Sequence, residues 1–339
     1  MLNPLLPRGA AALACCLLAL ACTGLATSGP QSLGGSSAGI TDDSVRVLSW
    51  NVSDDAFVRD ARAFRALLAR ADADILLFDE VTPAATEGQL RAALAGRLRG
   101  SRDNTSEWHI SLGQSGGRQR GVVASRFPLE RVPELSGIVP YPALERDRIR
   151  SRMAAGKADR PAFSMDGGIP VNGAIAIAGA RRLLVVIVDL QCCGNDPESW
   201  EEDRRRVEAR EIRRLVEQVL TRTRVDGVVV AGDFNAVSTP LPVTIVAGPY
   251  PLPHAGLIAA DLRHLDGVET WTWDGRGSPF PSRPLDFMLY SASALDLRRG
   301  FILDSADLGG AELAALELDA QSAGRLSKHL PLLAEFVWH

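Results

Sequence analysis

Short apolar runs that stop abruptly at polar residues organise most of this chain. Val45 to Ser49 (VRVLS) is β-rich and ends at Trp50-Asn51. Asp74 to Phe78 (DILLF) reads as a buried strand ending at Asp79-Glu80, and Gly121 to Ser125 as one closed by Arg126-Phe127-Pro128. Ala174–Ala178 and Leu183–Leu190 form a hairpin pair around Gly179-Ala180-Arg181. Val228–Ala231 runs into Gly232-Asp233-Phe234-Asn235, and Leu285–Tyr290 and Leu333–Trp338 complete the predicted strands. Between them, apolar residues at helical spacing (Phe57, Ala61, Phe64, Leu67, Leu68) predict a helix over 57–71, and another covers 86–98. Ser199 caps a long helix to about Leu220, with Val207, Ile212, Leu215, Val216 and Val219 on its apolar face.

Strands alternate with helices early and late but pair as hairpins in the middle. That mix predicts an α/β (α+β) fold: two packed mixed sheets flanked by helices, a four-layered α/β/β/α sandwich from 44 to 339. Polar residues gather where strands end, which is where a scaffold presents its site.

The first 22 residues differ. Arg8 precedes an uncharged run, Ala10 to Leu20, too short to span a bilayer, which reads as a signal peptide over 1–22. Ala19-Leu20-Ala21-Cys22 resembles the lipobox of bacterial lipoproteins, although Ala19 stands where Leu is usual. That resemblance implies lipid on Cys22; plain cleavage nearer Ala26 is the alternative. A Ser/Gly-rich flexible linker over 23–43 follows. The expected location is therefore the cell envelope, as an exported periplasmic or membrane-anchored protein.

Formal charge is −4 in 339 residues, and removing the leader takes one arginine and no acid. A broad basic surface for nucleic acid is thus absent, so duplex DNA is disfavoured. Beyond the leader only Cys192 and Cys193 remain, adjacent in sequence. They read as buried small apolar residues or as a vicinal disulfide. Arg146, Arg148, Arg150, Arg152, Lys157 and Arg160 read as a substrate-guiding loop or a solvated irregular insertion, and Arg204-Arg205-Arg206 as the exposed face of the long helix.

The strand-end signals agree in order. They are Trp50-Asn51, Asp79-Glu80, Gly121 to Pro128, Gly232-Asp233-Phe234-Asn235-Ala236, Trp271-Thr-Trp273, Arg283-Pro-Leu-Asp286-Phe and Ser327-Lys328-His329-Leu-Pro331. Together they resemble the endonuclease/exonuclease/phosphatase superfamily, with its DNase I-like fold, over nearly the whole mature chain. The resemblance implies a monomeric phosphoesterase that attacks a phosphodiester or phosphomonoester with activated water. Glu80, with Asn51 beside it, would hold Mg²⁺ or Mn²⁺, and a hard cation suits neutralising charge on a phosphate ester. Asp233 would position or deprotonate the water, Asn235 would donate to phosphate or nucleophile, and His329 would be the catalytic histidine oriented by Asp286.

Two positions depart from the family. Asp189-Leu190-Gln191 stands where relatives carry a second His, and Lys328 replaces the Asp usual before the catalytic His. Asp79 also replaces a common Gln. Asp189, Gln191 and Lys328 are candidate phosphate contacts, and the opposite charges of Asp189 and Lys328 predict an ion pair across the cleft floor. If these changes abolish turnover, the chain would be a binding protein on the same scaffold.

Overall fold

The computed structural model describes residues 44–95, 107–156, 163–249 and 256–339. The expected leader, Cys22, the linker, the end of the 86–98 helix, Lys157 and Arg160 lie outside the described residues.

Twelve strands form two six-stranded sheets among the described residues. They are β1 (Ser44–Asn51), β2 (Ile75–Val81), β3 (His109–Leu112), β4 (Arg120–Ser125), β5 (Leu129–Arg131) and β6 (Val171–Ala178). Then come β7 (Arg181–Asp189), β8 (Gly227–Asp233), β9 (Ile258–Ala259), β10 (Asp286–Tyr290), β11 (Leu295–Ile302) and β12 (Leu332–Trp338). One sheet runs β11-β12-β1-β2-β4-β3 and the other β5-β6-β7-β8-β10-β9. Each is mixed, since β1–β2 and β7–β8 are parallel and the remaining pairs antiparallel.

Alternation along the strands fixes the layers. Leu183, Val185 and Ile187 of β7, Val229 and Ala231 of β8, and Met288 and Tyr290 of β10 pack between the sheets. Their neighbours Leu184, Val186, Val188, Val228, Val230 and Leu289 face outward, onto the long helix. On the other outer face Trp50 of β1 stacks on Phe64 at 5.1 Å, and Phe64 also meets Phe78 of β2. The order is helices, sheet, sheet, helices.

Local chemistry sets the helices. The 57–71 helix is in fact two, Ala56–Arg59 and Ala61–Ala71, because Asp60 leaves helical geometry and its carboxylate accepts from Ala63 N–H as an N-cap. Glu87–Leu94 opens on a capping box between Thr86 and Gln89. Trp200–Arg222 is capped by Ser199, with Glu201, Glu202 and Asp203 against the positive end of its dipole.

Three expectations need correction. The basic stretch is helical (Ala143–Ala155), and its arginines are paired: Arg148 with Glu145 and Asp203, Arg150 with Asp166, Arg152 with Asp203. Only Ile149 and Met153 anchor that helix to the core, too few to announce it by periodicity. Arg204 and Arg205 are buried rather than exposed, because the same helix buries Glu202 and Glu208 to meet them. Finally, Cys192 and Cys193 are exposed free thiols, not buried apolar residues. Nor do apolar runs announce β3, β5, β9 or β11, which are short or carry polar residues. No helix among the described residues is long and apolar enough to cross a membrane.

Candidate active site

Strand register builds the site. Asp189 pairs with Asp233, and Asp233 with Asp286, so the ends of β7, β8 and β10 carry three carboxylates abreast. Each lies two residues from an inter-sheet apolar position, so all three face the seam between the sheets. Across the seam, Asn51 of β1 pairs with Asp79 of β2. Gly232 makes the close approach possible. Its φ is +136°, and a Cβ there would overlap the Val188 carbonyl oxygen.

Polar bonds tie the two sheets together here. Asp233 N–H donates to Asp79 Oδ2 at 3.0 Å, and Asn51 Nδ2 donates to Asp233 Oδ2 at 3.5 Å. Asn235 N–H donates to Asp233 Oδ1 at 2.8 Å, while Asn235 Nδ2 donates to the Leu190 carbonyl at 2.9 Å. His329 Nδ1 lies 2.9 Å from Asp286 Oδ2, and its Nε2 lies 3.7 Å from Asp233 Oδ2. Trp50 Nε1 braces the His329 carbonyl at 2.9 Å, and Ser327 Oγ accepts from His329 N–H.

Asn51, Asp233, Asn235, Asp286 and His329 therefore share one polar cluster, hydrogen-bonded within the Asn51–Asp233–Asn235 and Asp286–His329 groups and joined by the 3.7 Å approach of His329 to Asp233. Glu80 stands next to Asp79 on a bulge, where the β2–β4 register shifts between Phe78 and Val81. Its φ is +50° and that of Asn235 is +46°. Non-glycine residues in this region cost on the order of 1–3 kcal/mol each, strain that clusters at functional sites.

The electrostatics are lopsided. Burial opposes charge on His329, but Asp286, Asp233 and Asp79 outweigh it and lift the imidazole to about 10, which favours its cationic form. Burial raises Asp233 to about 8, His329 pulling it down while Asp286 and Glu80 push it up. Burial, then neighbouring carboxylates, push Asp79 and Asp189 well above the usual range.

This is an oxygen-rich seam short of positive charge. Asp79 Oδ1 is buried without a hydrogen-bond partner. Asp233, Asp286 and His329 also offer ligand atoms that all lie within 4.8 Å of one another. An orphaned carboxylate oxygen among hard donors fits a divalent cation such as Mg²⁺ or Mn²⁺.

The candidate phosphate contacts diverge. Lys328 Nζ donates to the Arg276 carbonyl at 3.1 Å, and the Lys328 carbonyl accepts from Asp274 N–H. Lys328 is thus turned toward the Asp274–Arg276 turn, and the expected ion pair with Asp189 does not form. Its stem leaves the site beside an antiparallel bridge between Trp273 and His329, which fixes that direction. Gln191 is buried, its N–H donating to Glu208 Oε2 and its side-chain amide to the Cys192 carbonyl, so it holds the loop.

Thr272, between Trp271 and Trp273, has a role that its motif does not announce. Its Oγ1 donates to Asp286 Oδ2 at 2.6 Å and accepts from the N–H of Leu285 and Asp286. It therefore positions the carboxylate that positions His329.

No curated protein sequence matches this chain. Among solved structures it is similar to truncated Caenorhabditis elegans TDP2 at 14% identity and a TM-score of 0.53, covering 87% of this chain and 98% of that one. It is likewise similar to the human Nocturnin catalytic domain with bound sulfate, at 15% identity and a TM-score of 0.53, covering 89% and 96%. For Danio rerio TDP2 with single-strand DNA product the values are 14%, 0.50, 86% and 98%. At such identities the likeness establishes the DNase I-like fold alone. A sequence-family model goes further, matching residues 48–308 and so reaching from β1 through β11 across all but one of the clustered residues. The chain belongs to the Endonuclease/Exonuclease/phosphatase family, a family of phosphoesterases and nucleases.

Proposed function

We propose that this chain is an exported, divalent-metal-dependent phosphoesterase that hydrolyses a phosphodiester or phosphomonoester by attack of water at the seam between β1, β2, β8 and β10. The observation that carries the reading is the alignment of Asp286, His329 and Asp233. One carboxylate holds Nδ1 at 2.9 Å, and a second lies 3.7 Å from Nε2.

Asp286, fixed by Thr272, accepts from Nδ1–H and keeps His329 charged. The imidazolium then directs Nε2–H toward the seam, where it donates to a phosphate oxygen and stabilises the charge that gathers there. Asp233 takes the proton of the attacking water, and its backbone bonds to Asp79 and Asn235 hold its carboxylate in place. Asn51 shares Asp233 Oδ2 and keeps that oxygen aimed at the seam. Glu80 and Asn51, with Asp79 beside them, would hold the cation. Bound there, it supplies charge neutralisation for the phosphate and lowers the pKa of nearby carboxylates.

The export part rests on the leader sequence, and lipid on Cys22 on its lipobox likeness; mass spectrometry of the host membrane fraction tests both. Asp189 favours a second reading, a weakened enzyme or binding protein, because it adds a carboxylate to an anionic seam facing an anionic substrate. On that reading Asp189→His raises kcat/KM.

The deciding experiment is hydrolysis of an aryl phosphodiester and monoester with EDTA and then added Mg²⁺ or Mn²⁺. His329→Ala should lower kcat by roughly 10²–10⁴-fold. Glu80→Ala should weaken Mn²⁺ binding measured by calorimetry. Unchanged rates in both variants would sink the proposal.

A further inference from the structure

After β7 the chain enters a turn, Gln191 to Gly194, that the hydrolytic reading does not use. Cys192 and Cys193 are exposed there, with their Sγ atoms 2.9 Å apart. Cys193 has φ +67° and Gly194 φ +63°, a left-handed pair. A Cβ on Gly194 would press into the Glu201 side chain. The turn is held from beneath by the fully buried Arg205. Its guanidinium donates to the carbonyls of Gln191 at 2.9 Å, Cys193 at 2.5 Å and Gly194 at 2.9 Å. Gln191 Nε2 adds a bond to the Cys192 carbonyl at 3.0 Å. The peptide between the cysteines is thus pinned with both sulfurs on one side.

We propose that Cys192 and Cys193 are a redox-active vicinal dithiol that closes to a disulfide ring by exchange with a small-molecule disulfide such as oxidised glutathione. The sulfurs, 2.9 Å apart, need to approach by only about 1 Å to reach the ~2.05 Å bond length, and exposure gives the co-reactant access. The electrostatics of the same pair favour one sulfur as the attacking one. The hydrogen bond between the two sulfurs draws Cys193 down to about 7 against the effects of burial and Glu201, with Arg205 assisting, whereas Cys192 is pushed up. An attacking thiol titrating near ambient pH is the most effective.

The Cys193 thiolate attacks one sulfur of the disulfide, forming a mixed disulfide and releasing a thiolate that takes up a proton. Cys192 then gives up its proton and attacks Cys193 Sγ, expelling the second thiolate. One disulfide is consumed, two thiols leave, and the protein loses two electrons and two protons. Closure is felt at the seam. Leu190, two residues before Cys192, accepts from Asn235 Nδ2 and donates its N–H to the Asp233 carbonyl. This last link rests on the phosphoesterase reading; ring formation does not.

The test uses the full chain, oxidised with glutathione disulfide, digested with trypsin and weighed. The peptide between Arg182 and Arg204 holds no other cysteine. It should be two hydrogens lighter than the dithiol, inert to iodoacetamide, and restored by dithiothreitol. Cys192→Ser should trap glutathione on Cys193, and Cys193→Ser should react roughly tenfold more slowly. A peptide that stays alkylatable at both sulfurs, keeps glutathione without a ring, or links to another cysteine peptide overturns the proposal. Turnover of the aryl phosphodiester should fall at least about twofold on closure and recover on reduction. Closure with unchanged turnover overturns the link to Asn235, whereas a protein inactive in both states leaves ring formation decided by mass alone.

Discussion

Arg205 gives the sharpest test of how this fold is held, because sequence and structure demand opposite outcomes for its removal. As the exposed face of a helix, it would be replaceable within about 0.5 kcal/mol. In the structure its side chain is fully buried and makes five bonds. Nε meets Glu202 Oε2 at 3.0 Å, and the two terminal nitrogens reach three carbonyls and Ser238 Oγ. Arg205→Ala strands Glu202 in the interior, a loss of about 3–5 kcal/mol for a broken buried ion pair. Glu202 retains Arg206, Ser238 and Thr239, which places the expectation toward the lower end. Arg205→Lys keeps the charge but offers at most three donors for five bonds, so we expect about 1–2 kcal/mol. Urea unfolding read by tryptophan fluorescence measures both as midpoint shifts at constant slope. The double variant Arg205→Met/Glu202→Leu should recover part of the loss, since removing both charges removes the stranded one. A cost below about 1 kcal/mol for Arg205→Ala would refute the reasoning, because water would then be reaching Glu202.

Thr272→Val should cost about 1–3 kcal/mol by orphaning two backbone N–H groups, and should lower kcat with KM unchanged while Thr272→Ser keeps both; steady-state kinetics and thermal unfolding read this. His264 is raised from 6.5: burial opposes its charge, but bonds to Asp307 and the Trp271 carbonyl, with Asp304 nearby, outweigh it. A raised folded-state pKa gives stability that is full below the unfolded value and lost as pH rises through the folded one. His264→Asn should therefore destabilise more at pH ~5.5 than at pH ~9, and an equal loss at both would contradict it. A double-mutant cycle between Asp189 and Lys328 should give a coupling below about 0.5 kcal/mol, because Lys328 is bonded elsewhere; a larger value would restore their ion pair.

What the sequence disclosed followed from one physical rule. A buried strand must be apolar until it reaches its own end, so Asn51, Asp79, Asp189 and Asp233 are visible as polar residues that close apolar runs, and Asp286 as the one that opens the run Phe287 to Tyr290. The same rule hides β11, whose middle (Asp296, Arg298, Arg299) is polar and faces outward on an edge where charge blocks further pairing. Charge pattern alone could not separate Arg205 from Arg206, since burial there depends on Glu202 and on carbonyls of a distant turn. Thr272 was equally illegible as a partner of Asp286, because the two lie fourteen positions apart and meet only when the loop between them folds back. Lys328 misled for a related reason: position in a motif says where a side chain starts, not which way its long stem swings.

The abreast carboxylates of β7, β8 and β10 bear on how this protein can change over evolutionary time. Because side chains alternate faces, one inserted residue within any of these strands would turn its carboxylate out of the seam and expel apolar neighbours with it. The turn at Gly179–Ala180, by contrast, can lengthen at a cost that grows only logarithmically. New substrates must therefore be reached by lengthening loops around an immovable row of acids, and a library of single-codon insertions scored for folding should tolerate additions at 179–180 but not at 183–189 or 227–233.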